Sequence, residues 1–121
     1  MKLNSIWRET LIDAAIFREA ITNNSARAMP ARMAHLFCEL FYRARASGLT
    51  REETCRFPID LAQLGETLGM SIATVNRTLQ TVRTERLADL RNGVLRVRNW
   101  RKLAETGEFD PGYLHLKKPQ G

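Results

Sequence analysis

Residues 60–83, DLAQLGETLGMSIATVNRTLQTVR, decide how this chain of 121 residues is read. Asp60 and Gln63 stand three apart, a capping box in which the carboxylate accepts from the backbone and the amide reaches back to the cap. The helix they open carries Leu61, Leu64 and Leu68 inward and stops at Gly69. Ser71 then caps a second helix, Ile72 to about Arg86, with Val75, Leu79 and Val82 on its inner face. Gly69-Met70-Ser71 is the three-residue, glycine-containing connector expected between the two helices of a helix-turn-helix. Gly65, four residues before Gly69, leaves room for the second helix to cross closely. The Gly-x-x-x-Gly spacing means little alone. Combined with apolar residues at 64, 68, 70 and 75, a cap at 71 and a basic second helix, it favours this motif, with a generic helical hairpin as the alternative.

Downstream, Ala88-Asp89-Leu90 and Val94-Leu95-Arg96-Val97-Arg98 flank Arg91-Asn92-Gly93, and Asn-Gly between short alternating runs signals a tight β-hairpin. A hairpin directly after a second helix of this kind is the wing of a winged helix, with Arg91 at its tip and Arg96 and Arg98 along one face. Trp100 to Thr106 reads as a short helix closed by Gly107, Phe109 to Leu114 as a turn packing back, and 117–121 as a frayed tail.

Upstream, a helix is expected from about Pro30, suited to a first turn, to Ala46, with Gly48 beyond its end. Met33, Phe37, Leu40, Phe41 and Ala44 line one face of it. Thr50 to Arg56 reads as a charged loop and Phe57-Pro58-Ile59 as a short extended piece. From Asn4 to Thr22 another helix is expected, because Trp7, Leu11, Ala14, Arg18 and Ile21 alternate at spacings of four and three. That seam either packs on its own domain or pairs with a second copy, and its periodicity does not separate the two. The fold class is therefore mainly α with a small β-hairpin: a winged helix-turn-helix over 25–116 preceded by a helix within 1–24.

Composition excludes several classes. The sequence is 44% hydrophobic and 26% charged, an ordinary globular balance. The longest apolar run, Ala14-Ala15-Ile16-Phe17, falls far short of the ~20 residues that span a bilayer, and no signal-peptide core follows Met1; a cytoplasmic protein without membrane contact is expected. The net charge of +6 is concentrated in one stretch: residues 71–102 hold seven arginines and Lys102 against Glu85 and Asp89. Such one-sided, arginine-rich charge suits a phosphate-rich partner, since the guanidinium fork matches phosphate oxygens. Cys38 reads as a buried small hydrophobe and Cys55 as a solvent thiol; with His35 and His115 they form no metal-ligand spacing and no nucleophile motif. Neither an enzyme nor a metal site is indicated.

Residues 60–99 resemble the C-terminal DNA-binding region of the Crp/Fnr superfamily of bacterial transcription regulators. The likeness rests on Leu61-Ala62, Gly65, Leu68-Gly69-Met70-Ser71 and Thr74-Val75-Asn76-Arg77-Thr78-Leu79-Gln80, followed by the wing. It extends through Ala31 to Leu40 upstream and Phe109 to Leu116 downstream, about residues 28–116 in all. The resemblance implies a dimer on an inverted repeat of double-stranded DNA, and RNA polymerase as a further partner. It makes residues 1–24 the end of a dimerisation helix, joined through Trp7, Leu11, Ala14 and Ile21. It assigns Arg77 to a guanine in the major groove and Ser71 and Thr74 to phosphate. Where many relatives carry a charged base reader after the cap, this chain has Ile72 and Ala73, which leaves thymine-methyl contact and brings in Asn76 and Gln80 as base contacts. Arg91, Arg96 and Arg98 are expected on the phosphate backbone. No cofactor is expected in this chain; a cyclic-nucleotide or other effector would bind a sensor domain, which relatives carry ahead of the dimerisation helix. The alternative is a winged helix used as a protein-interaction module.

Overall fold

In a computed structural model, which describes residues 8–10 and 25–110, one long helix forms the axis on which the other elements pack. That helix, α1 (Ser25–Ala46), is followed by β1 (Thr54–Arg56), α2 (Leu61–Leu68), α3 (Ile72–Thr84), β2 (Ala88–Arg91), β3 (Val94–Val97) and α4 (Trp100–Thr106). The chain is a winged helix-turn-helix, mainly helical with one small antiparallel sheet.

α1 starts at Ser25 rather than near Pro30, so the proline lies inside the helix. Its missing N–H forfeits one bond, toward the Ala26 carbonyl, near the start of a helix of 22 residues. Nor does α1 bury a single face. Arg32 through Phe41 are all buried, because α3, α4 and β1 pack around it. Polar residues caught in that belt therefore need internal partners. Arg32 Nη1 donates to the Leu68 carbonyl at 3.1 Å, satisfying a group at the C-terminal end of α2. His35 Nδ1–H donates to the Gly107 carbonyl at 2.9 Å. Glu39 and Arg43, one turn apart, pair at 3.1 Å, and Arg43 also bonds Glu9 in the helical residues 8–10, where Thr10 is buried.

The helix-turn-helix forms as its caps dictate. The Asp60 carboxylate accepts from Gln63 N at 2.8 Å while the Gln63 amide oxygen accepts from Asp60 N at 3.1 Å. Gly69 ends α2 at φ 72°, the left-handed region that favours glycine. A Cβ on Gly65 would lie 2.6 Å from the Met70 carbonyl oxygen and 3.4 Å from a Val75 methyl, so the close crossing requires glycine. Leu64 and Leu68 are fully covered, as are Val75 and Val82 of α3, with Leu79 packed against them. Leu61 departs from expectation: it lies in the first turn, a turn short of the crossing at Gly65, and is 37% exposed. α3 ends at Thr84, two residues earlier than expected, and Arg86 takes a positive φ of 61°.

Asn92 and Gly93, at φ 53° and 73°, make the turn between β2 and β3. The hairpin is only part of the sheet. Thr54–Arg56, expected as loop, pairs antiparallel with the other edge of β3, giving the order β1-β3-β2. Three residues are too few for alternation to show in sequence. Cys55 stands opposite Leu95, which stands opposite Leu90, so Cys55 is buried and not the solvent thiol expected. Cys38 is buried as expected. Burial pushes both thiols up, Cys38 to about 12 and Cys55 to about 11.

Asn99 caps α4, and Gly107 beyond it sits so near α1 that a Cβ would meet His35 N at 2.5 Å. Phe109 turns back onto His35, Tyr42 and Trp100, with ring centroids 5.6 to 5.9 Å apart. The seam Trp7, Leu11, Ala14 and Ile21, the turn beyond Asp110 and the tail 117–121 lie outside the described residues.

Candidate nucleic-acid interface

Two solvent-facing surfaces gather the candidate residues. The first is the side of α3 turned away from Val75, Thr78 and Val82, where Ile72, Ala73, Asn76, Arg77 and Gln80 are found outside the buried set. Ile72 is 51% exposed, so an aliphatic side chain stands open at the helix start. The absence of acidic residues in the first turn leaves the helix dipole uncompensated there, and its positive end favours an anion.

Ser71 and Thr74 are organised around that end. Ser71 Oγ accepts from Thr74 N at 3.1 Å as the N-cap and donates to Thr74 Oγ1 at 3.0 Å. Arg77 Nη2 donates to the same Thr74 oxygen at 3.3 Å. A hydroxyl has two acceptor sites and one proton, so Thr74 keeps its proton to donate outward. The arrangement also steadies the Arg77 guanidinium one turn along, which lowers the entropy lost when it engages a base.

The second surface is the outer face of the sheet. Directly paired residues share a face and alternate residues repeat it, so Thr54, Arg56, Asp89, Arg91, Val94 and Arg96 lie on one side and Cys55, Leu90 and Leu95 on the core side. Arg91 adjoins the hairpin turn, and Arg91 and Arg56 stand on either side of Val94. Arg98, just past β3, donates through Nε to Asp89 at 2.7 Å and stays 55% exposed. Part of its charge is thus balanced within the wing, whereas Arg91 and Arg96 are exposed. Arg56 was not among the residues picked from the sequence. Its strand, Thr54-Cys55-Arg56, is too short for its alternation to be a usable signal, so the pairing with β3 is what reveals it.

The family model of the Crp-like helix-turn-helix domain matches residues 31–106, from within α1 to the last residue of α4. The chain belongs to this family. The two surfaces just described lie within the matched Crp-like region. No curated protein matches the chain. Among solved structures, the chain is similar to reduced CprK, crystallised in the absence of any ligand, at 21% identity and a TM-score of 0.49. The match covers 84% of this chain and 48% of that one, so the chain spans about half the length of CprK. Among the described residues no group of His, Cys, Asp and Glu could hold a metal ion, and no helix is long and apolar enough to cross a membrane.

Proposed function

We propose that this Crp-like domain binds DNA sequence-specifically, with α3 in the major groove and the outer face of the sheet along the phosphate backbone. The observation that carries the reading is the outward side of α3, which offers Arg77, Asn76 and Gln80 where a core-facing helix would bury apolar residues. Arg77 is the principal base contact, since bidentate arginine to guanine is the commonest specific pairing. Asn76 and Gln80 add amide contacts, and Ile72 and Ala73 meet thymine methyls. Ser71, Thr74, Arg91, Arg96 and Arg98 hold phosphates and set the register without reading bases. The role is binding rather than catalysis.

The functional unit is a dimer joined through Trp7, Leu11, Ala14 and Ile21. Its two-fold axis sets two recognition helices about 34 Å apart, on an inverted repeat with half-sites roughly 10 base pairs apart. RNA polymerase is a further partner, and any effector acts through a sensor domain.

A titration of the chain on its selected duplex and on random duplex, between about 50 and 200 mM salt, tests the reading. Log affinity should fall with log salt by about 0.9 per phosphate neutralised, and the selected duplex should be favoured at every salt. Salt-insensitive binding, or equal affinity for all sequences, would overturn it in favour of a protein-interaction module.

A further inference from the structure

Successive helical residues turn by about 100°, so the line on α3 opposite Val75, Thr78 and Val82 runs through Ala73 and Gln80. Gln80 therefore stands at the centre of the outward side, with Asn76 and Arg77 flanking it one turn earlier. Its side chain is not free to orient as it pleases. Arg83 Nη2 donates to Gln80 Oε1 at 2.7 Å. A guanidinium has donors only, so the amide oxygen must be the atom turned toward it, and the amide nitrogen is turned the opposite way.

A glutamine reads adenine by showing one base its oxygen and its nitrogen together, the oxygen accepting from N6 and the nitrogen donating to N7. Arg83 occupies one of the two lone pairs of that oxygen and sets its cationic guanidinium beside the other, which disfavours a second donor such as the adenine N6 amino group. The amide nitrogen and the remaining Arg83 N–H groups present donors alone, complementary to the O6 and N7 of guanine or the O4 of thymine and mismatched to the amino groups of adenine and cytosine. We infer that Arg83 acts through Gln80 as a specificity-determining residue, setting it to read a keto base, guanine or thymine, in place of adenine. The inference rests on the DNA reading above and specifies one position of the site.

The test is selection of preferred duplexes from a randomised pool by the full chain, Gln80→Ala and Arg83→Met. Both side chains lie outside the core, and melting curves verify that the variants remain folded. Gln80→Ala should erase the preference at one position per half-site, where the unaltered chain favours guanine or thymine. Arg83→Met should move the preference at that position toward adenine, changing the adenine-to-keto ratio by about tenfold. If Arg83→Met keeps the preference and weakens all duplexes alike, with a shallower salt slope, Arg83 is a phosphate contact and the inference fails. An adenine preference in the unaltered chain, or no position lost in Gln80→Ala, overturns it equally. A chain with no preferred sequence at all defeats the DNA reading itself, a result distinguishable because it precedes any variant.

Discussion

Glu39 and Arg43, one turn apart on α1, form an ion pair inside the domain, with the carboxylate only 1% exposed. Buried pairs offset their own desolvation only while both partners remain. Arg43→Leu takes the guanidinium from the buried Glu39 carboxylate, which then faces His35 Nε2 at 3.7 Å, and removes the bond to Glu9, and should lower stability by up to about 3–5 kcal/mol. Urea unfolding checks this, and the double variant Arg43→Leu with Glu39→Leu should recover much of the loss.

Gly65→Ala places a methyl 2.6 Å from the Met70 carbonyl oxygen, a backbone atom that yields only if the turn between α2 and α3 opens. Stability should fall by about 1–3 kcal/mol, and specific binding should fall further than the melting temperature alone explains, because α3 is re-aimed. An alanine variant that binds its selected duplex normally would show that the crossing tolerates the shift.

Arg77→Ala should reduce affinity for the selected duplex by about 1–3 kcal/mol and affinity for random duplex far less. Equal losses on both would make Arg77 a phosphate contact.

Removing any one of Arg56, Arg91 or Arg96 should weaken all duplexes alike and shrink the salt slope by roughly one unit, with base preference unchanged. Arg98→Ala should do less, because its guanidinium is already engaged by Asp89.

The thiols of Cys38 and Cys55, raised to about 12 and 11, stay protonated in the folded chain at neutral pH and should resist thiol reagents until the protein unfolds. In the unfolded chain they ionise near pH 9, so the folded state then binds more protons and stability should decline as pH rises from about 9 to 11. Melting temperature measured over that range gives the sign.

The helix-turn-helix was legible because short-range chemistry specifies it: Asp60 with Gln63, Gly69 and Ser71 act within three or four residues of themselves. The wing turn at Asn92-Gly93 was legible for the same reason. What periodicity could not convey was the company a segment keeps. α1 carries Arg32, His35 and Glu39 at positions that look solvent-facing until α2, Gly107 and Arg43 supply their partners. β1 is a strand only because β3 offers it an edge, and with it came the concealment of Cys55 and the recruitment of Arg56. At the candidate interface the residue types were readable, whereas the hold of Arg83 on Gln80 depends on rotamers that spacing does not specify.

The bond from Arg32 to the end of α2, and that from His35 to Gly107 just past α4, fasten two distant parts of the chain to a single helix three residues apart. α3 also packs on that helix directly. Loosening the reading head would thus mean tearing out the axle of the domain, so local melting is a poor route to accommodating a mismatched site. Hydrogen exchange across α1, α2, α3 and α4 should accordingly report one shared opening energy, and tolerance of imperfect operators must come from side-chain adjustment on a stiff frame.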